Sequence, residues 1–114
     1  MKILTKAIEA KLIKNRNTNN GDADEIDFKP VVKLFGGGAC TWLLTELDPE
    51  SNIAYGLCDL GFGTPELGCV SMDELMSTKF PPFGLPIERD LHFKATKTLT
   101  EYADAARNQG RIAA

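Results

Sequence analysis

His92 is the only histidine in the 114-residue chain. It stands beside Glu88, Arg89 and Asp90 in the segment IERDLHF. If that segment is a strand, alternation puts Glu88, Asp90 and His92 on one face. A histidine flanked by carboxylates can serve as a general base or a metal ligand. Arg89 supports a different outcome, because it can pair with an acid and tie an edge strand to a helix. The candidate catalytic set is therefore His92, Glu88, Asp90 and Arg89, weighed against a structural cluster of salt bridges and hydrogen bonds. No serine or cysteine stands in a recognisable nucleophile setting.

A second acidic set is Glu46, Asp48, Asp59 and Glu66. These residues fall near the ends of neighbouring predicted strands. Gathered at one end of a sheet, they could hold Mg²⁺ or Ca²⁺. No loop has calcium-binding spacing, and solvated turn acids account for them equally. The three cysteines, Cys40, Cys58 and Cys69, contain no CxxC pair. An odd count without a secretion signal argues against a disulfide framework, and the thiols read as buried and structural. A three-thiol metal site would require all three strands to point them the same way. No metal and no cofactor is expected.

Three aromatics are candidates for binding. Trp42 is either a core anchor or a lid over a small pocket. Phe80 and Phe83 lie in FPPFGLP, which three prolines exclude from long regular structure. That stretch is either a loop packed over the core or an exposed aromatic ledge for a partner.

Composition sets bounds on these readings. Hydrophobic residues are 43% and charged residues 25% of the chain, ordinary values for one globular domain. No apolar run reaches the ~20 residues of a membrane span. Charges within the first fifteen residues break any signal-peptide core, so a cytoplasmic location is expected. The net charge of −3 is uneven: the first helix is basic and the middle of the chain acidic. An acidic middle repels phosphate backbones, so nucleic acid is an unlikely partner.

Leu4, Ala7, Ile8 and Leu12 recur at helical spacing, predicting a helix from about Thr5 to Lys14 with Thr5 as its cap. Residues 15–27 lose that period and read as a mobile polar loop. Strands are expected over 31–35, 39–47, 53–60 and 66–70, joined by the turns GGG, DPESN and GFGTP. On the second strand, Cys40, Trp42 and Leu44 should share one face, and Thr41, Leu43, Thr45 and Leu47 the other. Gly56 would let the Trp42 ring lie over the backbone. Ser71-Met72-Asp73-Glu74 reads as a capping box opening a helix to about Thr78 that buries Met72, Leu75 and Met76. Residues 87–93 read as a fifth strand or an extended edge segment with an acidic outer face. Thr98-Leu99-Thr100-Glu101 is a second capping box, for a helix that ends near Asn108 with Gly110 as its left-handed cap. Residues 111–114 should fray. The fold class is α+β: an antiparallel meander of about five strands against two to three helices, in a single domain over 1–114.

The segments TWLLTE (41–46), ELGCVSMDEL (66–75) and LPIERDLHF (85–93), with KLF (33–35), resemble those of an uncharacterised bacterial family. Its members are small, carry a domain of unknown function and are associated with plasmids and other mobile elements. The resemblance covers most of the chain. It departs at Gly36–Ala39 and at Cys69, where the family pattern has aromatic residues. It implies no activity and no site residues. The favoured expectation is a non-enzymatic binding protein that acts on a host or plasmid protein. The alternative is a small enzyme, or a ligand- or metal-binding protein, using His92 with Glu88 or Asp90.

Overall fold

The computed structural model describes residues 3–19 and 25–114. The chain runs α1 (Lys6–Asn19), β1 (Val32–Gly36), β2 (Cys40–Asp48), β3 (Ile53–Asp59) and β4 (Glu66–Ser71), then α2 (Met72–Ser77). The short strands β5 (Lys79–Phe80), β6 (Leu85–Pro86) and β7 (Glu88–Arg89) follow, and α3 (Leu99–Gln109) comes last. β1 to β4 form the expected meander. β7 extends it at the far edge, giving an antiparallel sheet in the order β4-β3-β2-β1-β7. β5 and β6 pair separately as a small hairpin. Among the described residues the fold is α+β: a five-stranded antiparallel sheet, a two-stranded hairpin and three helices.

Both faces of the sheet are covered, as the apolar character of β2 on each side requires. Leu34, Trp42, Leu44, Leu47 and Ala54 pack with Leu4 and Leu12 at α1 and with Met72 and Leu75 of α2. Leu43 and Leu57 pack on the other side with Leu99, Tyr102, Ala103 and Ala106 of α3, and with Ile112. Leu34, Trp42 and Cys58 oppose one another across β1, β2 and β3. Trp42 is 4% exposed, which makes it a core anchor.

A β-bulge resets the second half of β2. Leu44 opposes Gly56, but Glu46 opposes Tyr55, which leaves Thr45 as the extra residue. A bulge inverts the side-chain alternation beyond it. Leu47 therefore joins Leu44 on the α1 face, and the expected grouping of Leu47 with Leu43 is corrected. The bulge also explains Gly56. A Cβ there would lie 2.0 Å from the Leu43 carbonyl oxygen and 2.8 Å from Leu44 Cα. The strand backbone, rather than the Trp42 ring, occupies that space.

α1 begins where Thr5 predicts, with Thr5 Oγ1 accepting the Ile8 N–H at 3.1 Å. It continues to Asn19, so residues 15–19 are helix rather than loop; residues 20–24 of the expected loop lie outside the described residues. Asn15 is a poor helix former, yet it is buried and donates from Nδ2 to the Thr45 carbonyl at 3.0 Å. Helix and bulge thus stabilise each other: the bulge frees a carbonyl, and Asn15 satisfies it. Asn15→Ala should cost about 1–3 kcal/mol, the usual penalty for orphaning a buried acceptor. Chemical denaturation measures that loss.

The other ends follow the local signals. Ser71 Oγ accepts the Glu74 N–H at 3.2 Å at the start of α2. At α3 both arms of the Thr98–Glu101 capping box form, and Gly110 closes the helix at φ 73°. Two expectations change. Met76 is 50% exposed, while Met72 and Leu75 are buried. The tail after Gly110 is docked: the Ile112 N–H donates to Asp59 Oδ2 at 3.0 Å, and the Ile112 side chain is buried.

Candidate functional site

The segment from Leu85 to His92 holds most of the residues suited to chemistry, and the sheet edge determines where each one goes. Leu85 and Pro86 belong to the small hairpin, and only Glu88 and Arg89 join the main sheet. They oppose Phe35 and Leu34 of β1, with one further ladder bond from the Asp90 N–H to the Lys33 carbonyl at 2.9 Å. The expected seven-residue strand stops there because Asp90 turns the chain. Its Oδ1 accepts the His92 N–H at 2.9 Å, an Asx turn that competes with further pairing.

The turn divides the candidate catalytic set. Asp90 Oδ2 also pairs with Lys33 Nζ at 3.6 Å, and Lys33 donates to the Ala114 carbonyl. The Asp90 carboxylate is thus engaged by a lysine and by the His92 backbone. His92 is exposed. Asp90 and His92 border an open, mainly polar cavity of about 380 Å³, together with Lys94, Lys97 and Tyr102. Glu88 and Arg89 border a different one. Arg89 Nη1 donates to the Ile3 carbonyl, so its guanidinium braces the segment that precedes α1. The structure therefore does not gather His92, Glu88 and Asp90 into one constellation.

The second cavity is a groove of about 570 Å³, lined by Ile3, Met76, Pro86, Ile87, Glu88, Arg89 and Leu91. Its lining is mainly apolar. It runs along the outer flank of β7, between the segment before α1 and the exposed side of α2. Met76, Leu85 and Leu91, on or beside it, are 50%, 59% and 66% exposed. The sequence pattern hid this groove, because Met76 falls at core spacing and strand alternation sets Leu91 opposite the acidic face of Glu88, Asp90 and His92. The available signal was Pro86 beside Ile87, which marks the segment as an edge.

The two phenylalanines separate. Phe80 packs over Gly36 and Gly37, where an added Cβ would meet its ring at 2.7 Å and 2.6 Å. Those glycines form a shelf for it, and Gly37 also needs the positive φ of its turn. Phe83, at the tip of the β5–β6 hairpin, is 82% exposed. Phe80 thus covers the core, and Phe83 stands out from it.

The second acidic set does not cluster. Glu46 and Asp48 lie at the end of the β2–β3 pair that carries the Asp48–Asn52 turn, and Asp59 and Glu66 lie at the opposite end. Asp48 is a turn residue: the Ser51 hydroxyl and the Glu50 N–H hold its carboxyl below the usual range, with a smaller contribution from Arg16. Among the described residues, no group of three or more His, Cys, Asp or Glu side chains is placed to hold a metal ion. Cys40 and Cys58 pack on the α1 face, whereas Cys69 opposes Tyr55 on the other face and is exposed. Cys69 thus points away from the other two, and none of the three is fully buried as expected: Cys40 and Cys58 are half-buried and Cys69 is exposed. Burial, helped by Cys69 and Glu66 nearby, pushes the Cys58 thiol up to about 11. At about pH 8 roughly a thousandth of it is thiolate. Timed alkylation with mass spectrometry should modify Cys69 first and Cys58 last.

No helix of the described residues is long and apolar enough to cross a membrane. A family model described as a protein of unknown function (DUF2958) matches residues 3–113. No curated protein and no solved structure matches the chain.

Proposed function

The chain belongs to the DUF2958 family of proteins of unknown function, and from the geometry of its sheet edge we propose that it works by binding another protein. One observation supports this reading above the others: the apolar groove of about 570 Å³ beside β7. Exposed apolar side chains clustered around a concavity are characteristic of interaction sites. The occupant is a short apolar segment of a host or plasmid protein, and this chain is encoded by a mobile element. Glu88 is exposed on the rim, whereas Arg89 is engaged with the Ile3 carbonyl. The segment therefore carries a cationic residue opposite Glu88.

The chemistry around His92 favours binding over catalysis as well. Asp90 is held by Lys33 and by a backbone N–H, and Glu88 borders the other cavity.

Leu91→Glu and Glu88→Lys test the proposal, since both side chains are exposed and neither substitution should disturb the core. A protein captured from host lysate by the unmodified chain should be lost with Leu91→Glu. Binding of its isolated segment should weaken about tenfold or more with Glu88→Lys. Equal capture and equal affinity with both variants would contradict the groove as the docking surface.

A further inference from the structure

The two edges of the sheet are built differently. β7 closes one edge with two residues, both charged, just after Pro86. Shortness, charge and proline are the features that keep a strand edge from pairing with another chain. β4 lacks them. It has six residues, ELGCVS, with one charge at its first position. Among the described residues, β3 is the only strand paired with it.

The hydrogen-bond phase shows which β4 residues face outward. The Met72 N–H donates to the Asn52 carbonyl at 2.9 Å. That pair continues the register in which Ile53 opposes Ser71. In an antiparallel ladder, opposed residues exchange hydrogen bonds at every second position. Val70, Gly68 and Glu66 therefore bond to β3, while Leu67 and Cys69 turn their backbone N–H and C=O groups, and Ser71 its N–H, toward the open edge; the Ser71 carbonyl belongs to the first turn of α2.

We propose that this edge pairs antiparallel with the same edge of a second copy of the chain, about a two-fold axis at Cys69, joining two sheets into one. The strand is self-complementary in that register. Cys69 opposes Cys69 of the second copy, exchanging both backbone bonds, and Leu67 opposes Ser71, whose N–H meets the Leu67 carbonyl. Gly68 opposes Val70. A Cβ at Gly68 would meet nothing within 4 Å, and the branched side chain of Val70 faces that space on both sides of the axis. Glu66 faces Met72 rather than another Glu66. The interface is small, so the dimer forms in a concentration-dependent way.

Sedimentation equilibrium of the full chain from micromolar to millimolar concentration tests this, with the expected dimer at twice the 12.5 kDa chain mass. Hydrogen-bonded opposed residues have Cα atoms about 5.5 Å apart, within disulfide reach. An added diazene oxidant, which takes up the two protons and two electrons as two thiols become one disulfide, should therefore cross-link the dimer through Cys69 alone. Cys69→Ser should keep the dimer and lose the cross-link. Cys69→Lys places like charges opposite each other and should weaken association about tenfold or more, with the circular dichroism spectrum unchanged. A monomer at millimolar concentration, a dimer insensitive to Cys69→Lys, or a cross-link through Cys40 or Cys58 would each overturn the proposal. None of these results depends on the groove beside β7.

Discussion

Gly56→Ala is expected to destabilise the protein by about 3 kcal/mol or more, toward the upper end of what overpacking costs. A Cβ on Gly56 would lie 2.0 Å from the Leu43 carbonyl oxygen and 2.8 Å from Leu44 Cα. Both atoms belong to the backbone of the central strand, so no rotamer change relieves the clash. Either the ladder between β2 and β3 opens, or β2 moves off both of its cores, since Leu43 and Leu44 point into opposite ones. Gly68→Ala in the neighbouring strand is the control. It has open space around the added methyl and should shift stability by no more than about 0.5 kcal/mol. Urea denaturation of the two variants provides the comparison. Similar losses in both would mean that the bulge opposite Gly56 is not formed as described.

Asp59→Ala should cost about 3 kcal/mol. Asp59 is 2% exposed, and each carboxylate oxygen accepts one backbone N–H: Oδ1 from Gly61 at 2.9 Å and Oδ2 from Ile112 at 3.0 Å. Alanine leaves both donors without an acceptor, at about 1–3 kcal/mol each. It also releases the tail that seats Ile112 beside α3. Hydrogen exchange separates these effects: the Ile112 amide should lose protection in Asp59→Ala before the strands do. A protein that melts as the wild type does, with Ile112 still protected, would show that the buried carboxylate does not hold the tail.

The local signals in the sequence were dependable where one residue type performs one local task. The four-strand meander follows from alternating apolar runs separated by GGG, DPESN and GFGTP. The start of α2 follows from Ser71, which accepts the Glu74 N–H, the start of α3 from the full Thr98–Glu101 capping box, and the end of α3 from Gly110. Several of the features that escaped depend on a distant partner. Asn15 reads as a helix breaker until the Thr45 carbonyl is placed against it. Thr45 reads as an ordinary strand residue until it is placed as the extra residue of the bulge beside Gly56, and the bulge moves Leu47 to the other core. Asp59 reads as a solvated turn acid until the tail amide reaches it.

The candidate site was legible in composition but not in arrangement. Glu88, Arg89, Asp90 and His92 are adjacent in sequence, and a uniform strand would have aligned three of them. The Asp90 side chain bonds the His92 backbone instead, and that one contact sends the two halves of the segment to different cavities. The groove that carries the functional reading is assembled from three separate stretches, at Ile3, Met76 and residues 86–91. No local pattern links those stretches.

The most direct measurement is a two-dimensional amide NMR titration of the chain with the protein segment captured from host lysate. The predicted result is a contiguous set of shifts at Ile3, Met76 and Ile87 to Leu91, abolished by Leu91→Glu. Shifts confined to His92, Lys94 and Lys97, with the groove residues unmoved, would contradict the proposed docking surface and place binding in the polar cavity.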